Sequence, residues 1–246
     1  MKKIVIAGRN DAGKSTILGE VYKGLKNKGY QPMAVGSGAQ DEKPYLHKGI
    51  DVNYLHIAVP EPGWDVVEDI ERVIRDTLNK LEEKNKLIKN ARRALEDLNK
   101  VRSVLELGSL SQRDIPGAAD RPNVFLVEAV GINDGYKSEE SRKLADILLT
   151  VIPAHIKGEI LMESKNILLD EADIIVVTKI DEAPRDVTST TVKLLKRIYP
   201  YKPIIPVVAT QGVHMELVTD EILKLMVDPL ILLDKAEQQQ DINKKH

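Results

Sequence analysis

Nine consecutive residues near the start of the chain, Gly8-Arg9-Asn10-Asp11-Ala12-Gly13-Lys14-Ser15-Thr16, constrain the fold more than any other stretch. A glycine, four variable residues, Gly-Lys and a hydroxyl residue make the phosphate-loop pattern, which needs a strand in front and a helix behind. Both are legible. Residues 3–7, Lys-Ile-Val-Ile-Ala, read as a short buried strand, and residues 17–22 continue as a helix. A turn from strand end to helix start aims successive backbone N–H groups at one spot, where the positive end of the helix dipole also lies. The pattern therefore predicts a di- or triphosphate site. Gly8 and Gly13 let the main chain approach the phosphates, and Asn10, Asp11, Ala12 and Thr16 complete the loop. Lys14 is placed to reach the β- and γ-phosphates, and the Ser15 hydroxyl to ligate Mg²⁺.

The first helix is expected over residues 14–28 and to stop at Gly29, which suits the C′ position. Residues 31–36 then read as a second strand. Strand, phosphate-binding turn, helix and strand form a βαβ unit, so the expected class is α/β with a mostly parallel sheet in three layers. Residues 37–42 leave the second strand at the end where open α/β sheets bind ligands, which makes Asp41 a candidate for the Mg²⁺ shell or for orienting an attacking water. Residues 43–63, with Pro44, Pro60, Pro62 and Gly63, read as an irregular surface segment.

Between Trp64 and Leu107 there is no proline or glycine. Apolar residues follow a register of alternating threes and fours through Val67, Ile70, Ile74, Leu81, Ile88, Ala91, Leu95, Leu98 and Leu105, interrupted at Thr77, Lys84 and Arg102. Residues 65–107 therefore form a helical insertion, either one helix of roughly 60 Å or a hairpin turning near Lys84-Asn85-Lys86. The hairpin is preferred, because a lone helix needs something on which to bury its stripe. Such an arm suits docking of a partner, dimerisation or covering of the active site.

After a loop over 108–122, residues 123–128 run through Val124, Phe125, Leu126 and Val127 into Glu128. An apolar strand ending in one carboxylate is how a sheet presents an acid that holds Mg²⁺ through water. Gly131 follows at a spacing that lets its N–H face a γ-phosphate, so residues 129–136 read as a switch released when that phosphate leaves. A polar stretch over 133–143, a strand over 146–152 and a helix over 159–169 lead to another strand over 172–177, with Thr178-Lys179-Ile180-Asp181 at its end. The Asp181 carboxylate can accept hydrogen bonds from the N1–H and 2-amino group of guanine, a donor pair that adenine lacks. GTP is thus favoured over ATP, with the Lys179 stem along the purine. A helix over 190–198, a strand over 203–210 and a helix over 215–226 finish the sheet, and Ala209 and Thr210 fall where backbone amides meet the base oxygen.

The 246 residues divide on this reading into one nucleotide-binding domain over 1–232, interrupted by the helical insertion 65–107, and a flexible tail over 233–246. A net charge of −2 offers nothing to nucleic acid or to an anionic membrane. The chain has no cysteine, which excludes disulfides, thiolate metal sites and cysteine nucleophiles. No run approaches the roughly 18 apolar residues of a membrane span, and a cytoplasmic protein is expected.

With Gly8 to Thr16, Glu128-Ala129-Val130-Gly131 and Thr178-Lys179-Ile180-Asp181 in place, the chain resembles the SIMIBI class of P-loop GTPases. The closer likeness is to its metallochaperone and cofactor-chaperone group, the hydrogenase- and urease-maturation GTPases and the GTPases serving cobalamin-dependent mutases. The resemblance, which spans roughly residues 1–40 and 120–226, implies GTP and Mg²⁺ as cofactors and adds Arg9 to an expected catalytic set of Lys14, Asp41 and Glu128, with Ser15, Asp41 and Glu128 as the expected metal residues. It also implies a homodimer in which Arg9 reaches the nucleotide of the other subunit; a client enzyme or cofactor-loading protein is the expected partner of the 65–107 arm, which the resemblance does not cover. The nickel GTPases of the group bind metal through a cysteine-containing motif that this chain lacks, and its five histidines show no ligand spacing. Residues 127–135 also resemble the acidic loop of dethiobiotin synthetases and cobyrinate amidotransferase ligases, which implies a nucleotide-dependent small-molecule ligase or kinase as the alternative.

Overall fold

Strands that are apolar on both faces need cover on both, and the strands of this chain find it in one parallel sheet. The computed structural model describes residues 1–8, 11–36, 52, 54–56, 66–104, 122–129, 138–156 and 169–227. Among these the chain runs through β1 (Lys2–Gly8), α1 (Lys14–Asn27), β2 (Pro32–Gly36), β3 (Tyr54–His56), α2 (Val66–Val104), β4 (Val124–Glu128) and α3 (Ser138–Leu144). It continues through β5 (Ile147–Pro153), β6 (Ile174–Thr178), α4 (Arg185–Ile198), β7 (Ile204–Pro206) and α5 (Met215–Met226). The seven described strands lie in the order β3-β2-β4-β1-β5-β6-β7, and every pairing is parallel. Two compact units result, one of Met1–Pro62 with Asn123–His246 and the other of Gly63–Pro122.

In the first unit the sheet is the middle of three layers. On one face Ile4, Ile6, Leu126 and Leu149 share a core with Ile17, Leu18 and Val21 of α1 and Val218 and Ile222 of α5. On the other, Ile152, Ile175 and Val177 pack with Leu195 of α4 and with Tyr199. Each such side chain, fully buried, contributes about 1.5–3 kcal/mol relative to exposure, so the sheet's position is heavily over-determined. Strand order reverses at β1, which has β4 on one side and β5 on the other. Ligands of open α/β sheets bind outside the carboxyl end of the strands at such a switch point, and here that end carries the Gly8–Thr16 loop.

Several expectations change. The hairpin is overturned, because α2 is one uninterrupted helix from Val66 to Val104. Lys84, Asn85 and Lys86 are tolerated inside a helix, and an i,i+4 ion pair from Lys86 to Glu82, 3.4 Å long, spans the expected turn. The segment 43–63, read as irregular, contains β3, which pairs with β2 through Ala34↔Tyr54 and Gly36↔His56. Three residues are too few for a strand period to show. The polar stretch 133–143 includes most of α3, which has no apolar stripe to announce it. Arg142 secures it by donating from Nη1 to Asp173 Oδ2 at 2.6 Å, and that carboxylate also accepts the Leu148 N–H at 2.8 Å.

The last strand is shorter than expected. Pro206 has no N–H for the ladder, and after Val207 donates to the Val177 carbonyl at 2.8 Å the chain leaves the sheet. It then forms a single tight turn, Ala209–Gln211. Helix α4 begins five residues before the expected start, at Arg185, because Pro184 stands in front and Asp186 lies in the first turn. The helix expected over 159–169 falls outside the described residues except for Leu169, which lies in a turn. The loop 108–121 and the tail 233–246 lie outside them entirely. No described helix is long and apolar enough to cross a membrane.

Candidate functional site

The loop after β1 is shaped by backbone conformations that few residues adopt. Gly8 has φ 148°, and a Cβ there would stand 2.3 Å from the Val151 carbonyl oxygen of the neighbouring strand. Asp11 at φ 59° and Gly13 at φ 89° both lie in the left-handed region, with Ala12 fully buried between them. Left-handed residues set among right-handed ones make the concave row of N–H groups that accepts an anion. Gly13 is also the residue from which α1 starts, and no side chain caps that end. Lys14 is almost completely buried, and its ammonium donates to the Gly8 carbonyl at 3.1 Å across the loop.

Two oxygen-bearing side chains meet beside that loop. Ser15 Oγ donates to Glu128 Oε1. The contact follows from the sheet, since β4 pairs directly with β1 and sets Glu128 level with Ile6. A carboxylate and a hydroxyl at the mouth of a phosphate loop are the hard oxygen donors that suit Mg²⁺, which keeps most of its waters and takes only one or two protein ligands.

The other end of the site grows from β6 and β7. Thr178, the last residue of β6, is buried and donates its hydroxyl to the Ala12 carbonyl at 2.7 Å, with the Ile152 carbonyl 3.2 Å away. One side chain thus ties the end of β6 to the phosphate loop. Lys179 follows in the left-handed conformation, φ 57°, and its ammonium lies 3.6 Å from Glu182. One cleft is lined by Gly13 and Thr16 from the loop and α1, by Thr178, Lys179, Asp181 and Glu182 after β6, and by Ala209 and Thr210 after β7. The phosphate loop and, far later in the chain, the segments after β6 and β7 therefore open onto a single space.

No protein-family model matches the chain, and no curated protein sequence matches it. Solved structures do. The hydrogenase maturation factor HypB from Archaeoglobus fulgidus superposes with a TM-score of 0.58 at 14% identity, covering 92% of this chain and 91% of that one. HypB from Helicobacter pylori, solved in complex with nickel, gives 0.55 at 15% identity over 91% and 86%. An LAO/AO transport system kinase gives 0.54 at 14% identity over 99% of this chain, which spans 65% of that protein's length. The chain shares the fold of these structures, a three-layer P-loop NTPase fold.

Within this fold the structure brings together Gly8, Asp11, Ala12, Gly13, Lys14, Ser15, Thr16 and Glu128 at one end and Thr178, Lys179, Asp181, Ala209 and Thr210 at the other. Arg9, Asn10, Asp41 and Gly131 lie outside the described residues, as do the segments 37–42 and 130–136. Among the described residues no group of three or more His, Asp or Glu side chains stands ready to hold a metal. Sequence reasoning passed over Tyr54 and Gly36. A Cβ on Gly36 would lie 2.8 Å from the Tyr54 hydroxyl and 3.3 Å from Glu128 Cβ, so the tyrosine reaches the same corner as the acid. The only signal in the chain was a tyrosine in a short apolar run between two prolines.

Proposed function

We propose that this chain is a Mg²⁺-dependent GTP-binding and GTP-hydrolysing protein that serves the assembly of a metal- or cofactor-containing enzyme. The observation that carries the reading is the single cleft joining Gly13 and Thr16 to Asp181 and Thr210, because one nucleotide has to span both. Asp181 supplies the acceptors for guanine, and Lys179 the stem that lies along its ring. Lys14 and the loop amides neutralise charge on the β- and γ-phosphates, and positioning with electrostatic stabilisation is most of what phosphoryl transfer asks of a protein. Ser15 and Glu128 are the residues that would hold Mg²⁺, which would offset charge on the phosphates. Asp41 belongs to the reading as the carboxylate that orients the attacking water, Gly131 as the γ-phosphate contact, and Arg9 as a charge supplied across a homodimer.

The client role is supported by α2. Leu87, Leu98 and Val101 are 69%, 48% and 55% exposed, and with Ala91 and Ala94 they recur at steps of four and three along one helix face. A seam spaced in that way fits another helix. In this reading hydrolysis changes the loops around the γ-phosphate, and a client reads the change through the arm.

A binding panel with GTP, GDP, ATP and ADP, each with and without Mg²⁺, tests the first claim. Asp181→Asn should lower the preference for GTP over ATP by about tenfold or more, since sites built on polar pairing reject mispaired bases strongly. It should also raise affinity for xanthosine triphosphate, whose 2-oxo group accepts the amide N–H that asparagine brings. ATP bound as tightly as GTP, with that choice unchanged in Asp181→Asn, sinks the guanine assignment.

A further inference from the structure

The edge strand β3 looks dispensable to a nucleotide site. It has three residues and pairs with β2 alone. Its register says otherwise. In parallel sheets residues directly opposite each other share a face, and alternate residues along one strand share it too. Tyr54 stands opposite Ala34, Ala34 opposite Leu126, and Gly36 and Glu128 come two residues further along their strands. Tyr54, Gly36 and Glu128 are therefore on one face, in a row across three strands, with the tyrosine one step behind.

A long side chain can lean along its strand and reach a diagonal neighbour. The residue between them has none. A Cβ on Gly36 would stand 2.8 Å from the Tyr54 hydroxyl, 3.3 Å from Glu128 Cβ and 3.6 Å from Glu128 Oε2. The phenol and the carboxylate thus converge over the bare backbone of Gly36. Glu128 Oε1 is the atom engaged by Ser15, so the tyrosine comes to the acid from the side of the other oxygen. A phenol is protonated at neutral pH, so the hydroxyl is available to the acid as a donor group.

We propose that Tyr54 is a positioning residue for Glu128: seated over Gly36, it braces the carboxylate so that Oε1 stays turned toward Ser15 and the Mg²⁺ position. This rests on the reading of Ser15 and Glu128 as the metal-holding pair. Outer partners of this kind fix a ligand's orientation and contribute to metal affinity without touching the metal. The arrangement also gives the short third strand a reason to exist, since it delivers one side chain to a place that β2 and β4 leave open.

The test is a Mg²⁺ titration of the full-length protein with a fluorescent N-methylanthraniloyl-GDP bound, with no turnover involved. Tyr54→Phe keeps the ring and removes the hydroxyl. The Mg²⁺ concentration at half-effect should rise about tenfold, the low end of what outer-shell partners supply, while affinity for the nucleotide without Mg²⁺ stays at the wild-type value. Gly36→Ala, which puts a methyl group into the shared gap, should shift the midpoint in the same direction and decides the matter if Tyr54→Phe does not fold. Glu128→Gln is the reference and should shift it at least as far. A wild-type midpoint in Tyr54→Phe, alongside a raised one in Glu128→Gln, overturns the positioning role and leaves the metal reading standing. A Tyr54→Phe protein that loses metal-free affinity equally has a merely structural tyrosine. Equal midpoints in wild type and Glu128→Gln overturn the metal reading, and this inference with it.

Discussion

The two ends of the cleft are built in different ways. At the phosphate end nearly everything is backbone or buried: Gly8, Asp11 and Gly13 hold uncommon conformations, Lys14 bonds back across the loop, and Ser15 meets Glu128 from an adjacent strand. At the base end the contacts come from side chains and short loops that follow β6 and β7, and the Lys179–Glu182 ion pair lies partly in solvent. Under the proposed function, this difference makes affinity and selectivity separable. Donors set in the backbone are what electrostatic stabilisation without reorganisation asks for. In the proposed function the choice of base falls to Asp181, an exposed side chain whose replacement disturbs no core.

That contrast breaks first at Gly8. Gly8→Ala places a Cβ 2.3 Å from the Val151 carbonyl, in a backbone region that L-residues rarely adopt. A loss of about 3 kcal/mol or more is expected, from backbone strain and overpacking together. Urea unfolding checks it, and a loss below about 1 kcal/mol means that the loop is softer than its conformation implies.

Thr178 is where the two ends touch, so Thr178→Val should be felt at both. Removing the hydroxyl leaves the Ala12 and Ile152 carbonyls short of a donor, at a cost of about 1–2 kcal/mol in stability. Affinity for a guanine nucleotide should fall as well, by a factor of about five to ten as the loop loosens. If calorimetry gives wild-type affinity in this variant, the ends are not coupled through Thr178.

Glu182→Gln should do least. Exposed ion pairs contribute little, so neither stability nor nucleotide affinity is expected to move measurably. An altered preference between GTP and ATP in this variant places Glu182 in base recognition beside Asp181.

The legibility of the sequence follows the same division. The β1 loop and helix α1 could be read because their chemistry is local: the residues that shape the turn are adjacent in the chain, and the apolar runs on either side are long enough to show their period. The acid at the end of β4 and the Asp181 motif were readable for a related reason, since each stands where an apolar run stops. Strand β3 and helix α3 were not readable. Three residues carry no period, and α3 is held by the Arg142–Asp173 contact rather than by an apolar stripe. In α2 the period was visible, but whether Lys84, Asn85 and Lys86 turn or continue depends on small propensity differences. Those differences favour a helix wherever glycine and proline are absent.

The chain's own order of residues determined a phosphate loop between a strand and a helix, a parallel α/β architecture and two further motifs at strand ends, because each depends on neighbours within a few residues. Only the tertiary structure decided that the phosphate loop and the Asp181 motif line one cleft and that Tyr54 stands across Gly36 from Glu128. Both facts come from lateral pairing between strands far apart in sequence, where register sets which side chains meet, and no local pattern encodes register.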